Sequence, residues 1–191
     1  MPSFLTSAAP ILIGGAAAWG ALFVALHTVL LPRRTYAFSN RVVSIVHAIA
    51  SLILSYFSIA ELWPHVLEDV GASPNSPIEN RTLLFSSTYF LYDFFGCLLE
   101  PKRPDVESAV HHIFTLMGLI VGLRNDISGT ELVACLMLME VSNPMLHLRW
   151  GEIADVTLGA MHWPSCLRWL WWWQVLFARN RVAEYDARDD K

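Results

Sequence analysis

The chain is poor in charged residues and in cysteine, and both shortages narrow its class. Of its 191 residues, 16% are charged and 54% are hydrophobic, whereas a soluble domain has about 25% charged residues. With a net charge of −4, it also lacks the basic surface of a nucleic-acid-binding protein, so we expect no nucleic-acid partner. The three cysteines form no CxxC pair, which predicts neither a disulfide framework nor a zinc site. This composition is that of a membrane protein.

The histidines do not form the boxes of a membrane di-iron oxidase. Seven are present, and none of them falls in an HxxxH or HxxHH pattern. A haem protein needs two axial histidines on facing helices, and His47 with His111 is the pair that meets this requirement. We therefore predict no metal and no cofactor, with haem as a minor alternative.

Five apolar runs are candidates to cross the ~30 Å hydrocarbon core of a membrane. They cover residues 10–31, 42–63, 82–99, 109–123 and 130–148, the last interrupted by Pro144. A further run, 163–178, contains five tryptophans and Arg168. It is either a sixth span or an interfacial helix, and the interfacial position is favoured because tryptophan prefers the headgroup level. We predict an all-α, multi-pass transmembrane bundle of five to six spans.

The loops predict how this bundle is organised and oriented. Residues 1–32 are the expected first transmembrane helix, 33–150 the helical core, and 151–191 the tryptophan-rich segment with a charged tail. The first and third loops carry Arg33, Arg34, Arg41, Lys102 and Arg103. The positive-inside rule places these loops in the cytosol and the N-terminus in the lumen. The sequon at residues 80–82 is then lumenal, and we expect it to be unused because it adjoins the third span.

Polar residues recur at steps of three to four along four of the predicted helices, which keeps them on one face of each helix. They include His47, Asp93, the pair His111-His112 and Glu140, all about 3–12 Å inside the same end of the bundle at ~1.5 Å per residue. A carboxylate at the centre of a transmembrane helix costs about 2.5–3.5 kcal/mol. Asp93 and Glu140 should therefore face inward, and we predict a polar cavity open to the cytosol.

On the fourth predicted helix, the polar face that we expect to point inward holds His111, Thr115, Gly118 and Gly122. A purely structural role is the alternative for each polar residue. The paired histidines would cap the start of their helix, Asp93 and Glu140 would bond a neighbouring tyrosine or histidine, and His47 would bond within a serine-rich stripe. Their shared depth favours a functional site.

Four short motifs, taken in order, resemble the TLC-domain family, which includes the ceramide synthases and the translocating-chain-associating membrane protein. They are Ser44-x-x-His47-Ala48, Tyr89-x-x-x-Asp93, Lys102-Arg103-x-Asp105 before His111-His112-x-x-Thr115, and Glu140-x-Ser142-Asn143-Pro144. The likeness covers residues 33–149. It implies a multi-pass protein of the endoplasmic reticulum or another endomembrane that handles lipids or fatty acyl chains. In the synthases, the paired histidines are required for acyl transfer from acyl-CoA to a sphingoid base.

The chain departs from the synthases after the paired histidines. Their aspartate-rich pattern is replaced here by Glu140 and Ser142-Asn143, which is more similar to the small TLC domain-containing proteins. The resemblance therefore favours a role in membrane lipid homeostasis, in which the protein binds or regulates membrane lipids or acyl chains.

The alternative is an acyltransferase of the ceramide-synthase type, with acyl-CoA as co-substrate. His111 or His112 would act as general base and Asp93 would orient the imidazole. Lys102 and Arg103 would hold the CoA phosphates. The predicted substrate-binding set is His47, Thr115, Glu140 and Asn143, together with Lys102 and Arg103. In a non-catalytic binder, the same residues would hold a lipid headgroup.

Overall fold

The computed structural model describes residues 4–62, 74–101 and 104–150, and the named elements in these ranges are all helical. α1 covers Phe4–Ala25 and continues into a π-helical turn, Leu26–Leu30. The other helices are α2 (Tyr36–Leu62), α3 (Pro77–Leu98), α4 (Val106–Asn125) and α5 (Gly129–Trp150). The predicted all-α class is confirmed.

Three of these helices are long and apolar enough to cross a membrane. The candidate spans are Ala8–Leu30, Tyr36–Ala60 and Val106–Asn125. α3 and α5 are each 22 residues long, but they contain buried polar residues such as Asp93 and Glu140, which lower their hydropathy. The protein is an all-α helical membrane protein, and the count of five to six spans stays a prediction. The segment 163–178 and the charged tail lie outside the described residues.

Polar capping residues make the helices longer than the apolar runs. α2, α3 and α4 begin three to six residues before the predicted spans. Ser76 and Glu79 form a capping box at the start of α3, and the Asp105 carboxylate accepts a hydrogen bond from the Ser108 N–H at 3.0 Å at the start of α4. Such caps satisfy the first N–H groups of a helix. Hydropathy thus locates the span but not the residue at which the helix begins.

α3 lies at the centre of the bundle and contacts each of the other four described helices. α1 runs parallel to α3, since Gly15 lies against Thr88 and Gly20 against Tyr92. α2 runs antiparallel to α3, since Tyr36 near the start of α2 bonds Gly96 near the end of α3, whereas Ser51 further along α2 lies against Ser86. The apolar core consists of Val43, Leu83, Tyr89, Phe90, Leu116, Leu119, Leu123, Val133 and Leu136.

A group of hydrogen bonds joins the start of α3 to the turn between α4 and α5. We call it the loop cluster: Asn75, Glu79, Asn80, Asp126, Gly129 and Thr130. Asn75 Oδ1 accepts from the Gly129 N–H at 2.8 Å, and Asn80 Nδ2 donates to Asp126 Oδ1 at 3.1 Å. Glu79, only 2% exposed, accepts from the Thr130 hydroxyl at 2.6 Å. These bonds fix the end of the bundle at which α3 begins and α4 ends.

Candidate functional site

Asp93 and His112 form the centre of the candidate site. They lie toward the opposite end of the bundle from the loop cluster, where α3 ends and α4 begins. His112 Nε2 is 2.9 Å from Asp93 Oδ2, and both side chains are largely buried. The structure therefore brings together two of the three predicted catalytic residues as a direct carboxylate–imidazole pair.

Two further side chains hold the Asp93 carboxylate from α2 and α3. Asn40 Nδ2 donates to Asp93 Oδ1 at 2.8 Å, and the Tyr89 hydroxyl donates to Asp93 Oδ2 at 2.8 Å. The Tyr92 hydroxyl donates in turn to Asn40 Oδ1 at 2.6 Å. A buried carboxylate needs such donors to offset its desolvation. Asn40 was not predicted, because it precedes the apolar run that marks the second span. Tyr92 was not predicted either, although it lies within the third predicted span.

His47 and Glu140 form a second buried pair between α2 and α5. His47 Nδ1 is 3.7 Å from Glu140 Oε1, and Asn143 Nδ2 donates to Glu140 Oε2 at 2.9 Å. The His47 Nε2 atom lies 3.4 Å from Ser86 Oγ. The Tyr89 ring stacks on the His47 ring with a centroid distance of 3.8 Å. Tyr89 therefore links this pair to the Asp93–His112 pair, and three predicted substrate-binding residues lie together.

The arrangement around His47 gives no support to the haem alternative. Its two ring nitrogens face Glu140 and Ser86, and its ring packs against the rings of Trp19, Phe85, Tyr89 and Phe90. An axial ligand needs a ring nitrogen directed at an iron. Here Nε2 faces Ser86 at 3.4 Å, and Nδ1 lies 3.7 Å from Glu140 Oε1 without a hydrogen bond to a described residue.

The serine stripe of α2 faces the interior, as the sequence predicted. Ser44 Oγ donates to the Asn40 carbonyl and lies 2.9 Å from Tyr89 Oη. Ser51 Oγ is 3.3 Å from Ser86 Oγ. Ser55 and Ser58 are fully buried, and their hydroxyls make no hydrogen bond to any described residue. The stripe thus lines the inner surface of α2 over almost its whole length.

On α4, the structure differs from the predicted inward face by about one residue. The buried residues of this helix are Ala109, Leu116, Leu119, Gly122 and Leu123, which place His112 rather than His111 toward α3. The His111 ring centroid lies 5.3 Å from that of His112. The Thr115 hydroxyl donates to the His111 carbonyl within the same helix, and a Cβ on Gly118 would meet no described atom within 4 Å. His111 and Thr115 thus lie at the edge of the site.

Lys102 and Arg103 lie outside the described residues. Their predicted contact with CoA phosphates stays a prediction, as does the cavity open to the cytosol. The described residues that flank them, Pro101 and Pro104, belong to the connection between α3 and α4. That connection is at the same end of the bundle as Asp93 and His112.

The comparison with known protein families identifies the family of this chain. A family model described as the TLC domain matches residues 37–183. The chain belongs to the TLC-domain family. The matched range includes α3, α4 and α5 and nearly all of α2, and therefore both buried pairs of the candidate site. The resemblance inferred from the four motifs is confirmed.

This TLC-domain chain is similar to proteins named TLC domain-containing protein 1. The relative from Gallus gallus is 31% identical over 125 residues, which cover 62% of this chain and 46% of the relative. The one from Rattus norvegicus is 29% identical over 159 residues, covering 78% and 62%. The chain spans about half to three fifths of the length of these relatives. No solved structure matches the chain.

Proposed function

We propose that this TLC-domain protein binds a membrane lipid and thereby acts in membrane lipid homeostasis. The observation that carries the proposal is the Asp93–His112 pair, 2.9 Å apart and buried inside an apolar bundle. Ionisable residues inside a membrane are costly, face the interior of the bundle and mark substrate pathways. Because Asn40 and Tyr89 already hold the carboxylate, the His112 imidazole is the group that contacts the polar part of the lipid.

An apolar groove supports the idea that the bound molecule has an alkyl chain. The groove has a volume of about 340 Å³ and is lined by Tyr56, Ile59, Ala60 and Met137. Met137 precedes Glu140 by one turn of α5. A headgroup near the two buried pairs and a chain beside α2 and α5 would match this sequence of polar and apolar surfaces.

The proposed orientation in the membrane depends on the basic residues in the loops at the end of the bundle that holds the site. The connection before α2 carries Arg33 and Arg34, and the connection before α4 carries Lys102 and Arg103. Since cytosolic loops are enriched in lysine and arginine, we place the site end in the cytosol and the N-terminus in the lumen. The membrane we propose is that of the endoplasmic reticulum or another endomembrane.

The second candidate function is acyl transfer from acyl-CoA, and the Asp93–His112 geometry favours it as well. A carboxylate hydrogen-bonded to an imidazole fixes the orientation of that imidazole and stabilises its protonated form. In this reaction His112 would take the proton from an amine or hydroxyl that attacks the thioester carbonyl. The carbon–sulfur bond would then break, and CoA would leave as the thiol with that proton. His111, beside it, would line the same reaction space.

The experiment that tests the proposal is comparative lipidomics in cells that lack the protein or express one variant. The variants are His112→Ala, His111→Ala, Asp93→Asn and the control His27→Ala, whose imidazole contacts Ser39 at 3.1 Å instead of Asp93. We expect one lipid class to follow the wild type and His27→Ala, and to revert to the null level with His112→Ala and Asp93→Asn at equal protein abundance.

Two results separate the binding function from its competitors. If purified protein turns over acyl-CoA in the presence of the responding lipid, the acyltransferase function replaces the binding function. If His112→Ala and Asp93→Asn both reproduce the wild-type lipid profile, the pair is structural and the proposed function is wrong.

A further inference from the structure

Asp93, Cys97 and His112 bring a carboxylate, a thiol and an imidazole to one place. Their potential ligand atoms all lie within 4.8 Å of one another. Asp93 and Cys97 are four residues apart on α3, so they share a face of that helix, and His112 approaches from α4. Asp93 is 4% and Cys97 8% exposed. Two helices thus bring three different metal-ligating groups together at one buried position.

We propose that these three residues bind a transition-metal ion, and that Zn²⁺ is the ion that suits them. Zinc accepts sulfur, nitrogen and oxygen ligands at about 2.0–2.3 Å, so two ligands of one ion lie less than about 4.6 Å apart. The observed spacing of up to 4.8 Å exceeds this limit, so the three side chains must move closer together when an ion binds. Three protein ligands leave a fourth position for water or for an oxygen of a bound molecule, as in zinc sites that remain open.

The surroundings of the three residues resemble the outer layer of a metal site. Metal-ligating carboxylates are usually held by further hydrogen bonds, and Asp93 is held by Asn40 and Tyr89. The backbone beside Cys97 is also fixed, because the Asp105 N–H donates to the Cys97 carbonyl at 3.0 Å. These bonds position the donors before an ion arrives, which lowers the cost of ordering them.

The inference goes beyond the proposed lipid role, because metal binding does not require a lipid. It also differs from the prediction, made from the absence of a CxxC pair, that the chain has no zinc site. A motif search looks for paired cysteines close in sequence, whereas this site uses a single cysteine that the fold places beside an aspartate and a histidine.

Cobalt provides the test, because a Co²⁺–thiolate bond gives a near-ultraviolet charge-transfer band. The full chain is purified in detergent, treated with a chelator and titrated with Co²⁺, and then with Zn²⁺. We expect the band to appear in the wild type and to be removed by Zn²⁺. Cys97→Ser should abolish it, and Cys135→Ser, a half-buried cysteine on α5, should retain it. Asn40→Ala should weaken binding by about 10–100-fold.

A further variant guards against simple misfolding. Cys97→His keeps a ligand at this position, so it should lose the charge-transfer band but still bind Zn²⁺ more tightly than Cys97→Ser. The proposal is overturned if the wild type shows no such band, or if Cys97→Ser binds Zn²⁺ as tightly as the wild type. Cys97→Ser leaves the Asp93–His112 pair in place, so the lipid profile of cells that express Cys97→Ser tests the lipid role without the metal site. The metal site and the lipid role therefore fail or succeed separately.

Discussion

Tyr89 lies between the two buried pairs and contacts a member of each. Its hydroxyl donates to Asp93, and its ring stacks on His47 with an interplanar angle of 7°. The hydroxyl and the ring thus serve different neighbours. Removing only the hydroxyl changes the environment of the carboxylate and leaves the aromatic stack in place.

We expect Tyr89→Phe to lower the free energy of unfolding by about 1–3 kcal/mol, because the Asp93 carboxylate stays buried after losing one donor. Thermal unfolding of the purified protein in detergent measures the change. Tyr56→Phe is the matched control, since Tyr56 is 60% exposed. If both variants shift the unfolding temperature equally, the Tyr89–Asp93 bond does not contribute to stability.

For individual residues, the sequence predicted which ones form the site better than it predicted which of them contact one another. His47, Asp93, His112, Glu140 and Asn143 are all found in buried or half-buried contacts with one another or with α3. Their prominence came from the cost of polar groups inside a membrane. The prediction left open whether His111 or His112 pairs with Asp93. The choice of His112 depends on how α4 rotates about its axis, which side-chain spacing alone does not determine.

Among the elements, the contact between α1 and α3 depends on one small residue. A Cβ at Gly15 would lie 2.5 Å from Thr88 Cγ2, whereas at Gly14 it would meet no described atom within 4 Å. Small residues allow transmembrane helices to approach closely. The adjacent Trp19 Nε1 donates to Thr88 Oγ1 at 3.1 Å, so the close approach also positions a hydrogen bond.

Gly15→Val should therefore destabilise the bundle by about 1–3 kcal/mol through overpacking against Thr88. Gly14→Val changes the same residue type on the same helix but faces away from α3, so it should leave the unfolding temperature nearly unchanged. The two variants are compared by thermal unfolding in one detergent. Equal destabilisation would mean that the loss arises from the helix itself and not from the α1–α3 contact.

Hydropathy predicted that the helices exist, but it did not predict the residues at which they begin. An apolar run of sufficient length must be helical to satisfy its backbone inside lipid, and each predicted run in the described ranges is a helix. The first turns of α2 and α4, by contrast, contain polar residues such as Ser39 and Glu107. A hydropathy criterion excludes them although they are helical.

For the whole molecule, the sequon at Asn80 provides a test of both topology and fold. Asn80 Nδ2 donates to Asp126 Oδ1, its Oδ1 accepts from Asn75 Nδ2, and Thr82 is fully buried. We expect no glycan here even though the proposed orientation makes this end lumenal. Endoglycosidase treatment should leave the gel mobility of the native chain unchanged. A sequon on an added N-terminal extension should be glycosylated.

Either result that departs from this pattern is informative. A mobility shift that Asn80→Gln removes would contradict the bonded position of Asn80 in the folded protein. An unmodified N-terminal extension would contradict the proposed lumenal N-terminus instead. The two parts of the experiment therefore address the loop cluster and the orientation independently.

The general class of the molecule was predictable from composition, because scarce charge combined with long apolar runs is typical of membrane proteins. The family was predictable from four motifs in order, although none of them is specific by itself. The count of five to six spans stays a prediction, because the polar residues of α3 and α5 lower the hydropathy on which such counts depend.

The loop cluster also sets the alignment of the candidate site at the opposite end. Thirteen residues separate Asn80 from Asp93 on α3, and fourteen separate His112 from Asp126 at the end of α4. At ~1.5 Å per residue, each of these helix segments is about 20 Å long. The two segments therefore have nearly equal lengths when they are measured from the loop cluster. Adding or removing one residue in either segment would displace one member of the pair by about 1.5 Å and rotate it by about 100°. The distance between Asp93 and His112 is therefore encoded in part by hydrogen bonds about four turns away.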